Sequence, residues 1–200
     1  MIEKASPSEL KEIAEVHMEC FPHSFLTKYG PQILSRYYGE YLAEDAPFII
    51  ARREKTVGFC MGYIGQSKAK NRFLKKNFFS LSIKTLGRLL AFDKSAYKKI
   101  FPGFHHSVDS KVEEEKVEDE AYLLSICVLQ EERGTGLSQQ LVEEFEKQLI
   151  EKNCKSYVLF AEEDNERGIG FYKKMGFRQV RIKDGSIKFY KKLDQNNGKY

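Results

Sequence analysis

No apolar run in this 200-residue sequence approaches the roughly 20 residues that a bilayer-spanning helix needs, and the opening MIEKASPSEL has no signal-like apolar segment. Both absences predict a cytoplasmic protein. Cysteine is scarce and scattered: Cys20, Cys60, Cys127 and Cys154 include no close pair. Zinc-type spacing and a CxxC redox motif are therefore missing, no metal site is expected, and the thiols read as reduced and mostly buried. Neither sign of charge is in excess, with 33 Lys and Arg against 29 Asp and Glu for a net of +4. That balance gives no footing to nucleic-acid binding, although it suits an anionic ligand. No internal repeat divides the chain. With 42% hydrophobic residues it can bury one core, so residues 1–200 are read as a single domain carrying a large insertion.

What is present changes period along the chain. Ser6, Pro7 and Glu9 form a capping-box sequence with proline at the first helical position, and Leu10, Ile13, Ala14, His17 and Phe21 follow at helical spacing. His17 falls on that apolar side and reads as a packed core histidine. Pro31 opens a second helix with Ile33, Leu34, Tyr37, Tyr38 and Tyr41 on one face. The compact run Phe48 to Ala51 and the alternating Val57, Phe59, Met61 and Tyr63 predict a hairpin. Residues 66–104 turn helical, basic and phenylalanine-rich, which predicts two helices, and SVDSKVEEEKVEDE reads as a solvated acidic connector. AYLLSICVLQ and SYVLFAEE are too apolar to be half exposed and predict buried strands, with the helical stripe Leu137, Leu141, Phe145 and Leu149 between them. A short helix from Asn165 to about Met175, stopped by Gly176, and a closing hairpin through Asp184-Gly185 complete the order. The tail DQNNGKY reads as frayed.

The stretch LQEERGTGLSQQLVEEF, residues 129–145, joins a strand to a helix through Arg133 and two glycines. Such a turn presents unpaired N–H groups at a helix N-terminus, where the macrodipole also favours negative charge. Gly134 and Gly136 let the main chain approach an anion, Arg133 adds a charge, and Thr135 and Ser138 add hydroxyls. By itself the signal also fits a plain tight turn with a surface arginine. A P-loop is excluded because no Gly-Lys-Ser/Thr ends the turn. A dinucleotide fold is excluded because the third glycine of GxGxxG and a preceding βαβ repeat are missing.

Together, LLSICVLQEERGTGLSQQL and NERGIGFYKKMGF resemble the acyl-CoA segment and the following helix of the GNAT superfamily of acyl-CoA-dependent N-acetyltransferases, and the element order fits that family outside residues 66–120. The resemblance implies an α/β GNAT fold: a central mixed, mostly antiparallel sheet splayed between its fourth and fifth strands, flanked by helices, with a helical insertion between the third and fourth strands. It implies acetyl-CoA as the acyl donor. The backbone at Ile126, Cys127 and Val128 would lie along the pantetheine arm, Arg133, Gly134, Thr135, Gly136, Leu137 and Ser138 would supply N–H groups to the pyrophosphate, and Asn165 would face the cofactor. Ser138 departs from the family's final Gly or Ala yet remains small. Tyr172 matches the tyrosine that protonates the leaving CoA thiolate, a role suited to a neutral phenol; a cleft-lining aromatic packed against CoA is the alternative. Many relatives carry a glutamate on the strand before the turn, whereas YLLSICV has no carboxylate. The general base is therefore open among Glu162, Glu163, His23, His105, His106 and a water chain, with Glu162 put first.

The implied reaction is acetyl transfer to the primary amine of a small molecule by direct attack in a ternary complex. An amino-sugar is the first acceptor expected, and a small-molecule or peptide amine the second. The missing carboxylate supports a rival reading, a non-catalytic acyl-CoA-binding sensor. Expected partners are acetyl-CoA and the amine, with no nucleic acid. The basic, phenylalanine-rich insertion suggests peripheral membrane contact; the plainer reading is a helical hairpin packed over the acceptor cleft or against a second subunit in a homodimer.

Overall fold

The structure is a computed structural model that describes residues 1–89, 120–183 and 185–194. Its strands are β1 (Ile2–Lys4), β2 (Phe48–Arg52), β3 (Thr56–Ile64), β4 (Ala121–Val128), β5 (Ser156–Glu162), β6 (Arg178–Lys183) and β7 (Ser186–Lys192). They form one 7-stranded sheet in the order β1-β2-β3-β4-β5-β7-β6. Only the β4–β5 pair is parallel. Helices α1 (Leu10–Cys20) and α2 (Pro31–Leu42) precede the hairpin, α3 (Ala69–Leu89) falls between β3 and β4, and α4 (Leu137–Glu151) and α5 (Glu166–Lys174) flank β5. The mixed sheet, the flanking helices and the helical insertion agree with the sequence reading. The second insertion helix, most of the acidic connector, Asp184 and the tail from residue 195 lie outside the described residues.

Local sequence explains the helices that frame the sheet. The Ser6 N–H donates to Glu9 Oε2 at 2.8 Å, closing the capping box, and a single 3-10 turn at Pro7–Glu9 leads into α1. The buried side of α1 is Ile13, Ala14, Val16 and His17. Pro31 starts α2 and turns Tyr38 onto β2 and β3, its ring centroid 5.7 Å from Phe48 and 5.2 Å from Phe59. Strand alternation sends the neighbours of Phe59 to the opposite face, where α4 lies. There Phe145, fully buried, closes on Gly62, and a Cβ at Gly62 would sit 2.6 Å from its ring and 2.0 Å from the Tyr122 carbonyl oxygen. Burying a phenylalanine of this kind contributes about 1.5–3 kcal/mol, and only glycine at position 62 allows it.

The start of α3 docks on α2. Phe73 is 1% exposed and meets Tyr37 edge-on at 5.3 Å. Arg72 bonds Glu40 at 2.9 Å and Glu44 at 2.7 Å, and Lys76 reaches Glu40 at 2.7 Å. Phe78, one of the residues that suggested membrane contact, stands exposed. Among the described residues no helix is long and apolar enough to cross a membrane.

The sheet opens where the sequence reading expects it. Strands β4 and β5 pair only through Ala121↔Tyr157 and Tyr122↔Val158, and then part. Leu124 is the extra residue at which the β3–β4 register shifts, so β4 changes course as it leaves its partner.

Candidate functional site

Beyond the parting point, β4 presents an unpaired edge of main chain. Leu129 N–H donates to Val57 O at 2.8 Å. Antiparallel alternation then commits the N–H and C=O of Cys127 to β3 and turns those of Ile126 and Val128 into the gap. The Val128 carbonyl accepts the Cys20 thiol at 3.3 Å. Ile126 N–H, Ile126 C=O and Val128 N–H remain as edge groups that an extended amide-bearing chain can pair with. The main chain of Cys127 faces β3, and its thiol lies beside Cys20.

The turn after β4 is a single 3-10 turn at Gln130–Glu132 followed by Gly134 and Gly136, with φ of 84° and 85°. A Cβ at either glycine would meet nothing within 4 Å. Conformation therefore demands glycine there, and another residue would cost about 1–2 kcal/mol. Gly136 caps α4, whose first ladder bond runs from Gln140 N–H to Gly136 O at 3.1 Å. Among the described residues, the N–H groups from Gly134 through Gln139 find no protein acceptor. This cradle of donors at the start of a 15-residue helix can hold a diphosphate.

Two members of the turn act differently from expectation. Arg133 spends its own N–H on Gln130 O at 3.2 Å, so its contribution to an anion is its exposed guanidinium. The Thr135 hydroxyl donates to Glu132 O at 2.8 Å and locks the turn. Leu137 is buried in the core, while Ser138 is half-buried at the helix start. Arg53 grips the Glu132 carboxylate with two bonds of 3.1 Å, holding it below the usual carboxylate range. That pairing offsets a negative charge next to the donor cradle.

Tyr172 projects from α5 into the same region. It is 9% exposed, packs against Phe177 at 5.7 Å and Phe189 at 5.6 Å, and interacts electrostatically with Cys60 on β3 and Cys127 on β4. Burial pushes its phenol above the ordinary value, so it stays protonated and neutral. Among the described residues its hydroxyl forms no hydrogen bond. Asn165 caps α5, its Oδ1 accepting Gly168 N–H at 3.0 Å. Glu162 and Glu163 are exposed at the open end of β5, Glu162 opposite Ser186 on β7. His23 is exposed in the α1–α2 loop, whereas His105 and His106 lie outside the described residues.

Across the sheet, His17 is the core residue the helical spacing predicts, 7% exposed and lowered to about 4 by burial. Its Nδ1 lies 2.6 Å from the Tyr38 hydroxyl and its Nε2 3.0 Å from Ser24 Oγ. All four cysteines are free. Hydrogen bonding with Cys127 and the charge of Arg133 lower the Cys20 thiol, and burial raises that of Cys127. No sequence pattern announces Cys20 as a neighbour of β4's free edge, because it meets Val128 only through tertiary packing. A separate groove of about 510 Å³, lined by Leu10, Arg36, Glu40 and Asn77 among others, shares no residue with this cleft.

Residues 100–177 match the model of the Acetyltransferase (GNAT) family. PaiA N-acetyltransferase from Thermoplasma acidophilum, solved with coenzyme A, is a similar structure, with a TM-score of 0.61 and 17% identity over 96% of this chain and 98% of that one. PH1933 from Pyrococcus horikoshii is also similar, at 0.60 and 18% over 97% and 98%. The ribosomal-protein-alanine N-acetyltransferase of Brucella melitensis gives 0.59 and 15% over 96% and 99%. At these identities the structures speak for the fold. No curated protein sequence matches the chain. The family match over residues 100–177 and the fold of the similar structures point the same way.

Proposed function

We propose that this GNAT protein transfers an acetyl group from acetyl-CoA to the primary amine of a small molecule, by direct attack in a ternary complex. The observation that carries the reading is the free edge of β4 running into the N–H cradle from Gly134 to Gln139. The edge suits the amides of a pantetheine arm, and the cradle with the Arg133 guanidinium suits the pyrophosphate. The amine nitrogen attacks the thioester carbonyl carbon, and an edge N–H of Ile126 or Val128 meets the charge developing on oxygen. The C–S bond then breaks with its electron pair on sulfur, and Tyr172 gives that sulfur a proton. The amine sheds its own proton to Glu162 or to water. Asn165 serves by fixing the start of α5 and so the position of Tyr172. N-acetylation is supported by the similar structures named as N-acetyltransferases; amino-sugars head the acceptors to be tried, followed by other small-molecule amines and peptide amines.

Calorimetric titration with acetyl-CoA tests the donor half. Wild type should bind, and a variant with Gly134→Glu and Gly136→Glu should bind about 100-fold more weakly, since each change adds αL strain and places a carboxylate at the cradle. A folded wild type that binds no acetyl-CoA would overturn the reading. The absence of a carboxylate on β4 favours the second reading, a non-catalytic acyl-CoA-binding module. It would appear as tight binding without thiol release across the whole amine panel.

A further inference from the structure

The gap between β4 and β5 has a closed end, and a donor laid along it points there. From the N–H cradle at Gly134 to Gln139 the unpaired edge runs back through Val128 and Ile126 to the last paired residues, Tyr122 and Val158. A donor whose diphosphate sits in the cradle therefore carries its acyl group toward that pair. Leu124, at the register shift, and Phe160 stand two residues beyond it on the two walls, and each is 39% exposed. Large apolar surface is thus presented from both sides of the gap at one level. One step nearer the cradle, Ile126 and Glu162 are each four residues beyond the last pair.

Strand alternation decides which face Phe160 serves. Its neighbour Leu159 pairs with Phe189, against which Tyr172 packs at 5.6 Å, so Tyr172 belongs to the α5 face of the sheet. Phe160 belongs to the other face, with Val158 and Glu162. That face is shared with α2, because Tyr122, the partner of Val158, stacks on Tyr63 at 4.9 Å, and Tyr63 lies 6.2 Å from Tyr41. With the proton donor for the leaving sulfur on the α5 face, the α2 face is left for the attacking amine.

Resting on the acetyltransferase reading, we propose that the acceptor is a primary amine carried on an alkyl or aryl body, with Leu124 and Phe160 as its specificity-determining residues. The body lies between these two side chains while the nitrogen meets the thioester carbon at the level of Ile126 and Glu162. A sugar hydroxyl brought against the same walls would lose water and gain no hydrogen bond from either side chain. The structure therefore moves apolar amines ahead of amino-sugars.

Steady-state kinetics of the full chain with acetyl-CoA and a graded set of amines test this. In wild type, kcat/KM should rise about two- to fourfold with each methylene from ethylamine to hexylamine, and phenethylamine should exceed glucosamine. Phe160→Ser should flatten that rise, lowering hexylamine about 10-fold while calorimetric affinity for acetyl-CoA stays within about twofold, and Phe160→Leu should restore most of it. Leu124→Ser should act in the same direction. A series that is flat in wild type, or a slope that survives in both serine variants, would overturn this inference and leave the acetyltransferase reading intact. So would a preference that follows acyl length instead, with hexanoyl-CoA favoured over acetyl-CoA and that advantage lost in Phe160→Ser, since the walls would then serve the donor. A wild type that binds acetyl-CoA and releases no thiol with any amine would take away both.

Discussion

The two sides of the cleft are made of different material. On the proposed acyl-donor side the unpaired groups are main-chain: the edge at Ile126 and Val128 and the N–H groups from Gly134 to Gln139. On the α1–α2 side stands a buried network of side chains, with His17, Tyr38, Ser24 and Thr27 joined end to end. A main-chain site tolerates most side-chain changes and fails where backbone conformation or charge is altered. A side-chain network fails when one atom is lost, because each member has a single proton and a single direction.

Tyr172 is the exception on the donor side, a side chain among main-chain groups, and should give the largest single effect. Tyr172→Phe removes the proposed proton donor and keeps the packing against Phe177 and Phe189. We expect kcat to fall about 100- to 1000-fold with acetyl-CoA affinity changed less than about threefold. Since burial keeps the phenol protonated, wild-type kcat should show no tyrosine ionisation between about pH 6 and 9. An unchanged kcat in the variant would reduce Tyr172 to a packing aromatic, and the donor side would then be main chain throughout.

The side-chain half leaves a signature in stability. His17 is lowered from 6.5 to about 4 by burial, so between those values the unfolded chain binds the proton that the folded chain refuses. Stability is therefore complete above about pH 6.5 and is lost as pH falls toward 4, with a loss of about 2 kcal/mol between pH 7 and pH 5. Paired carboxylates such as Asp45, lowered to about 2 by Lys152 and Lys4, add their own losses mainly below about pH 5. Urea unfolding at pH 7 and pH 5 should show this slope in wild type and a much flatter one in His17→Gln, whatever that variant's baseline. An equal slope in both would mean that His17 stays as easily protonated in the folded protein as in the unfolded one.

The same division explains what could be read from the sequence. The strand, turn, helix and strand from Ala121 to Glu162 form one continuous stretch whose apolar runs, glycines and helical stripe each report a local requirement, so both the fold and the anion cradle are legible there. His17 was legible as a buried position by spacing alone, but its partner Tyr38 lies on another helix that only tertiary packing brings near. Which of Ile126, Cys127 and Val128 turns its main chain into the gap is decided by the pairing of β4 with β3, which a single strand's sequence does not carry. Gly62 looks like one more small residue in an alternating strand until Phe145 arrives against it. Asn165 could have been read locally, since an asparagine just before a helix is a preferred cap.

The smallest effect tests whether the donor cradle is purely main-chain in its electrostatics. Arg53 and Glu132 are tied by two bonds of 3.1 Å, and Arg53 is half exposed, so the pair itself should add little to stability. Its position next to the cradle gives it a second consequence. Arg53→Ala leaves the Glu132 carboxylate uncompensated where the pyrophosphate is expected, and acetyl-CoA should bind about two- to fivefold more weakly at low ionic strength, the difference closing as salt screens it. Titrations at about 0.05 M and 0.5 M salt decide the matter, because a loss that persists unchanged at high salt would come from a displaced turn, whereas one that fades with salt comes from the charge.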